Sequence, residues 1–432
     1  MRRQKSCPAR KAAVVNLLTC LLAAAAATLP AQAQTFKVLH TFHGKDGALP
    51  WTQLTRDAAG NLYGTTEETN GRCFNYFNYG CGAVFKLTPK GNETLLHSFN
   101  GKNGAIPMAG LLRDAAGNLY GTTLLGGDTN CYTYGCGTVF KLDRMGKETL
   151  LYKFTSDSDG EEPEAFLVAD PTGNLYGTTY RGGEYEWGTV FKMDQAGKKT
   201  ILHNFAGPIG GGGDGALSYE GVIRDSAGNL YGVTDAGGAY GAGVVYEVDT
   251  TGTETLLYSF SGGSDGSGPD SVLLADSARN LYGTTGYGGN QIYICGDYEG
   301  CGVVFKLSPN SNGSWTETVL YKFCSQSNCT DGNRPGVGPL VMDAAGNLYG
   351  TTYFGGGTHG CNGGDCGVVY KLDTAGNETV LHTFTGGADG AAPPAGVIID
   401  GAGNLYGTAE LGGDSKCAAD KQGCGVVFKL TP

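Results

Sequence analysis

Beyond residue 33 the chain lacks any run of the ~18 consecutive apolar residues that a helix needs to cross a bilayer, so no later segment is expected to span a membrane. Positive charge is scarce: 30 Lys and Arg stand against 41 Asp and Glu. So acidic a surface repels phosphate backbones and anionic lipid, which argues against nucleic acid as a partner. Helical periodicity is missing too, since no 11-residue window repeats apolar residues at helical spacing. Paired C-x-x-C knuckles are absent, as are G-x-S-x-G, H-E-x-x-H and the P-loop, so no local motif announces zinc, a nucleophile or a phosphate cradle. Histidine is limited to six, and only His43 and His359 fall outside one recurring register. That register holds His40, His97, His203 and His382 in some copies and Tyr152, Tyr258 and Tyr321 in others, which reads as a packing position.

Residues 1–33 read as a secretory signal peptide and 34–432 as a single domain. Arg2, Arg3, Lys5, Arg10 and Lys11 form a basic start, an apolar stretch follows from Ala12 to about Ala27, and Ala31-Gln32-Ala33 offers a small-x-small cleavage site before Gln34. Thr19 before Cys20, with more apolar sequence after it, argues against a lipoprotein cysteine. Removing five basic residues leaves a formal charge of 25 − 41 = −16. The expectation is a secreted protein, extracellular or periplasmic, monomeric and without a membrane span. Twelve of the 14 cysteines then remain, in six close pairs: Cys73/Cys81, Cys131/Cys136, Cys295/Cys301, Cys324/Cys329, Cys361/Cys366 and Cys417/Cys424. An even count in an exported chain points to local disulfides. No nearby histidine completes a zinc set of four ligands. Neither a metal nor a cofactor is expected.

What the chain does have is one phrase written seven times. D-x-x-G-N-L-Y-G-T-T begins at Asp57, Asp114, Asp170, Asp225, Asp276, Asp343 and Asp400, roughly 51 to 57 residues apart except for one gap of 67. A period of that length means a solenoid, a propeller or an array. Each copy holds four strand-like runs of Val, Ile, Leu, Phe, Tyr and Thr. In the second copy they are 110–113, 118–123, 137–142 and 148–154, separated by Gly, Asp and Asn turns. Four antiparallel strands per ~55 residues is a propeller blade. The chain opens on a fourth-strand phrase at 36–42 and stops on a third strand at 425–430, so the first strand can complete the last blade and hide both edges. The predicted fold is an all-β, seven-bladed propeller.

Chain direction sorts the loops. Turns joining first to second and third to fourth strands share one face and are short. The other face collects the long second-to-third loops and the inter-blade connections, which carry D-G-x-x-P, for example at Asp46-Gly47 and Asp265-Gly266. Every cysteine pair falls on this second face. Five staple second-to-third loops, and Cys324/Cys329 staples a connection. Long loops tethered against their own entropy mark an ordered, functional face. The Asp of D-x-x-G-N resembles a calcium ligand, but one Asp and one Asn per turn supply too few oxygens, and an Asx turn accounts for both.

The informative positions are those where the copies disagree and the geometry points inward. After T-T stand Glu67, Leu124, Tyr180, Asp235, Gly286, Tyr353 and Glu410. After the D-G-x-x-P proline stand Trp51, Met108, Glu164, Tyr219 and Asp270, with Glu220 adjacent. Aromatic faces beside carboxylates suit sugar rings, which makes Trp51, Tyr180, Tyr219, Glu220, Asp270 and Tyr353 candidate binding residues for a carbohydrate. An extracellular protein is the other partner these residues allow. If the chain is instead a polysaccharide lyase or glycoside hydrolase, Glu67, Glu164, Asp235 and Glu410 are its candidate acids and bases. Solvation of the mouth accounts for the same carboxylates equally well.

The phrases DAAGNLYGTT, GGxxxxGVVFKL and ETLLYSFxGxxDGxxP resemble the GloVer tandem-repeat family of exported bacterial proteins, over essentially all of residues 35–432. The resemblance implies export and propeller-like repeats, and little chemistry, because that family is defined by its repeat and by varied surface anchors. Ending at Thr431-Pro432 without a sorting tail departs from anchored members. D-x-x-G-N-L-Y is also similar to turns of NHL-type propellers and the streptogramin lyase group. Those lyases imply a histidine and a metal at the mouth, which no residue here supplies.

Overall fold

The computed structural model describes residues 34–432 other than 70–72, 74–79, 128–130, 132–133, 156, 208–212, 291–294, 296–299, 359, 362–364 and 418–421. The leader reading of residues 1–33 and the reading of His359 lie outside the described residues. Seven antiparallel sheets form a ring of seven blades. In the first blade the strands are Thr55–Arg56, Leu62–Thr66, Ala83–Leu87 and Glu93–Ser98. The second strand is buried at all five positions, whereas the fourth is half-exposed, so each blade runs from the hub outward. In the fifth and sixth blades the connections add short strands, Ser267–Pro269 and Asn333–Pro335, on the extended ends of Leu281–Tyr287 and Leu348–Phe354. Among the described residues there is no α-helix, and none long and apolar enough to cross a membrane.

Closure is as the split repeat predicts. Thr35–Thr41 pairs with Val426–Thr431 and forms the outer strand of the last blade. Two repeated contacts lock each blade to the next. Phe85 and its counterparts Phe140, Phe191, Tyr246, Phe305, Tyr370 and Phe428 are essentially fully buried. Each meets the last aromatic of the preceding outer strand edge-to-face, from Phe42 on Phe85 at 5.1 Å to Phe384 on Phe428 at 5.4 Å. Room for these rings comes from the glycine of L-Y-G: Gly64 pairs with Phe85, and a Cβ there would stand 2.7 Å from the ring. The following threonine bonds across to the next hub strand, as in Thr65 to Ala109 O at 3.4 Å and Thr408 to Thr52 O at 3.3 Å.

The Asp of the repeat is a turn residue. Asp57 accepts the Ala59 and Asn61 amides at 3.0 and 2.8 Å, the Asn61 side-chain amide at 2.8 Å and the Tyr63 hydroxyl at 3.0 Å. Burial pushes its carboxyl up, but the bonds from Asn61 and Tyr63 more than offset this and hold it below the usual carboxylate range. Asp170 is held the same way, with Thr172 adding both amide and hydroxyl. Asp170→Ala should lower unfolding free energy by about 1–3 kcal/mol, read as an earlier denaturant midpoint, and added calcium should shift the wild-type midpoint by nothing measurable.

The shared His/Tyr register needs correction. These rings do more than pack: six of the seven donate to the Asp of the D-G phrase that follows. His40 meets Asp46 at 2.9 Å, His203 Asp214 at 3.0 Å, His382 Asp389 at 3.2 Å, Tyr152 Asp159 at 2.7 Å, Tyr258 Asp265 at 3.0 Å and Tyr321 Asp331 at 2.7 Å. His97 meets Asn103, the one variant of that Asp, at 3.0 Å. His and Tyr interchange because both carry a donor at the far tip of a flat ring.

Candidate functional site

The stapled face is organised by a backbone feature that repeats in every connection. Leu49, Ile106, Glu162, Leu217, Arg334 and Ala392 hold left-handed conformations, φ 52 to 63°, and Gly268 does so at 58°. Such a conformation costs a non-glycine residue on the order of 1 kcal/mol or more, and persists only when its surroundings over-determine it. Here they do. Each residue donates its N–H to a carbonyl of the preceding second-to-third loop: Cys424, Cys81, Cys136, Trp187, Ala242, Cys301 and Cys366, in blade order, at 2.8 to 3.1 Å. In five blades that carbonyl belongs to the second cysteine of a disulfide. All six predicted disulfides are present. The left-handed carbonyl in turn accepts the N–H of the residue after T-T, as for Glu67, Leu124, Tyr180, Asp235 and Glu410 at 3.0 to 3.3 Å. Thus the staples fix a strained corner, and the corner fixes the mouth side chains.

The predicted residues divide into groups. Trp51 and Tyr353, from opposite ends of the chain, come together with ring centroids 6.0 Å apart. With Asp270, Arg334, Val337 and Pro394 they line a cavity of about 210 Å³. The Tyr353 hydroxyl donates to Glu410 at 2.5 Å. Tyr180 and Tyr219 stack on one another instead, centroids 4.1 Å apart and hydroxyls 2.8 Å apart, with Arg181 over Tyr180. Deeper in the channel, Glu164 and Glu220 line a narrow space with Trp51, Met108 and Phe166. Asp235 lies over Gly268, close enough to oppose a Cβ there at 2.7 Å.

Electrostatics at this mouth are unusual for so many carboxyls. Burial pushes Glu164 up to about 8, with Glu162 and Glu67 adding to it. Glu220 is raised well above the ordinary value by burial, then by Asp270 and Glu164. Asp270 is raised likewise by burial and by Asp235, against a pull from Arg334, and its Oδ1 is buried without a hydrogen-bond partner. Burial also raises Glu67. At neutral pH Glu164 therefore presents a protonated carboxyl, which both donates and accepts.

Two residues that line these cavities do not stand out in the sequence. Phe166 lines the narrow space beside Glu164 and Glu220, and a methyl on Gly110 or Gly221 would collide with it. Glycine at the register where one copy carries Phe was the available signal. Arg334 brings a cation to the cavity, stacks over Tyr287 and donates to its hydroxyl at 2.7 Å. Its place before Pro335, at the strained corner, was invisible without the backbone angles.

The Gloeobacter/Verrucomicrobia repeat matches residues 26–170, 71–293 and 168–419. No curated protein matches the chain in sequence. Among solved structures, virginiamycin B lyase from Staphylococcus aureus superposes with a TM-score of 0.56 at 14% identity, covering 92% of this chain and 99% of the lyase. The extracellular domain assigned to a one component system of B. thetaiotaomicron gives 0.51 at 12% identity, over 91% of this chain and 39% of that one. At these identities the likeness is one of fold.

Proposed function

We infer that this chain, which belongs to the Gloeobacter/Verrucomicrobia repeat family, is an exported propeller that binds a carbohydrate at the mouth of its stapled face. The observation that carries this is the Trp51–Tyr353 cavity, where two aromatic faces stand beside the unpartnered Asp270 oxygen and the Arg334 guanidinium. A sugar ring offers apolar C–H faces to the aromatics and hydroxyls to the polar groups. The Glu164 carboxyl, kept protonated by burial, suits such a neutral, hydroxyl-rich ligand better than it suits a cation. Six disulfides agree with residence outside the reducing cytosol.

One observation favours a second reading, hydrolysis or elimination at a glycosidic bond. Glu164 keeps its proton to about pH 8 beside Glu67, a second mouth carboxyl, as a general acid requires. Calorimetric titration with a panel of oligosaccharides, with ligand masses followed over time, tests both. Binding with unchanged masses, weakened about tenfold or more by Trp51→Ala (~1.4 kcal/mol), is the expected result. Fragments that vanish in Glu164→Gln would replace binding by catalysis. Silence across the panel, with Trp51→Ala indistinguishable, would leave the mouth without a sugar.

A further inference from the structure

We propose that Cys295, Cys301, Cys324 and Cys329 form one four-sulfur centre that, once both disulfides are reduced, binds a single thiophilic divalent cation of the zinc class. The inference does not depend on the carbohydrate reading.

The two pairs come from different segments, the second-to-third loop of the fifth blade and the connection into the sixth, yet all four Sγ atoms lie within 4.8 Å of one another. Cys295 Sγ and Cys324 Sγ, which belong to different disulfides, are 3.5 Å apart. Tetrahedral zinc with ~2.3 Å bonds to thiolate sulfur places its ligands about 3.8 Å from each other, so the spacing between the two disulfides is already of that order, and each bonded pair must open by about 2 Å on reduction to complete a tetrathiolate cage. Among the described residues no other cysteines gather in fours. The remaining staples each close a loop alone, whereas Cys324 and Cys329 sit where no other connection carries cysteine, in the repeat lengthened to 67 residues between Asp276 and Asp343. That insertion lays sulfur beside sulfur. Cys301, Cys324 and Cys329 are buried and Cys295 is half-buried, which gives a soft ion a dry site with one open side.

Hydrogen bonds hold the cage alongside its disulfides. Arg334 N–H donates to the Cys301 carbonyl at 2.9 Å, and the Gly332 and Gly356 amides donate to that of Cys329 at 2.9 and 2.8 Å. Asn290 ties the two segments by donating to the Phe323 carbonyl at 2.9 Å and the Ser325 hydroxyl at 3.0 Å. Chemically, each cystine takes two electrons from a reductant, breaking S–S and forming two S–H bonds: a dithiol gives the two protons itself and becomes a disulfide, whereas a phosphine becomes its oxide with the oxygen and both protons coming from water. Metal capture then makes four metal–sulfur bonds and releases the four protons. The ion would do the work of both staples, and through Cys301 it would keep Arg334 at the cavity.

The test uses the full chain, reduced anaerobically with a phosphine and titrated with Co²⁺ alone, then Zn²⁺. Expected are one Co²⁺ per chain with the intense thiolate-to-metal absorption of a tetrahedral sulfur site, displaced by Zn²⁺, and weakened at least tenfold by Cys295→Ser or Cys329→Ser but not by Cys131→Ser. Alkylation read by mass spectrometry should find those four cysteines, as a set, shielded by zinc. Absence of metal uptake, or shielding spread over other cysteines, overturns the proposal. So does a four-sulfur spectrum that survives in Cys295→Ser.

Discussion

A chain shortened to residues 43–432 is expected to lose the closed ring. The deletion removes Thr35–Thr41, the entire outer strand of the last blade. It also removes Phe42, which is fully buried and edge-on to Phe85 across the closing seam, worth roughly 3–5 kcal/mol by analogy with buried Phe→Ala changes. Phe36 goes with it, and its ring lies flat on His382 at 3.6 Å and packs on Phe428. Set against a typical total stability of about 5–15 kcal/mol, these losses leave little. They also bare the Val426–Thr431 edge, VVFKLT, a strand with the β-propensity and low charge that recruit a second chain. Size-exclusion chromatography should show oligomers or aggregate, and thermal unfolding should lose its sharp transition. Grafting residues 34–42 onto the carboxyl end should restore both. A shortened chain that stays monomeric with an unchanged Tm would mean that the seam contributes little.

The reasons that the fold could be read and much of the site could not lie in the same repeat. D-x-x-G-N-L-Y-G-T-T encodes contacts that close within a few residues or at a fixed step to the next copy. Asp57 to Asn61 and Tyr63, Gly64 to Phe85 and Thr65 to Ala109 are examples. Such contacts survive averaging over seven copies, so their pattern names the blade and, with the split ends, the ring. The mouth is the opposite case. Trp51 meets Tyr353 only because the ring has closed. Tyr180 and Tyr219 look in sequence like two open platforms, yet neighbouring corners turn them onto each other. The His/Tyr register does pack, each ring edge-on to the following Phe, but its bond to Asp is hidden in the sequence because that Asp stands 6 to 11 residues on, past a loop of varying length.

The same register predicts how the ring responds to pH. At six of the seven seams a charged residue at or near the start of the next outer strand faces the ring and its partner, whereas at the last seam Phe36 stacks on His382. Glu254 closes on His203 and Asp214 within 4.8 Å. Glu317 and Glu378 stand near Asp265 and Asp331, and Glu93 near His40 and Asp46. In all four one carboxyl oxygen is buried without a hydrogen-bond partner. Burial, then the neighbouring Asp, pushes Glu254 up to about 8 and Glu317 and Glu378 to about 7. At the third seam Lys199 answers Asp159 at 3.0 Å, and at the second Glu148 accepts from Asn103 at 2.8 Å, so neither sets acid against acid.

For a carboxyl whose folded value lies above its unfolded ~4.3, the folded state holds a proton that the unfolded state has lost. Its contribution is whole below pH ~4.3 and is lost as pH rises through the folded value. The turn aspartates act oppositely. Held low by their hydrogen bonds, Asp57, Asp114, Asp276, Asp343 and Asp400 stabilise above pH ~4 and lose that contribution in acid. Stability should therefore peak near pH 5, fall on the acid side below about 4, and decline between about 5 and 8. These glutamates are partly hydrated, so the full shifts are discounted by half. Some 5 kcal/mol then remains, or roughly 5 °C in Tm for ~400 residues at ~2 cal/mol/K each. Glu254→Gln supplies a permanent amide donor toward Asp214 and should raise Tm at pH 8 while leaving it nearly unchanged at pH 5. Glu148→Gln, opposite an amide, should not flatten the slope. A Tm that rises steadily from pH 5 to 8, or a Glu254→Gln protein as pH-sensitive as the parent, would place the protons elsewhere.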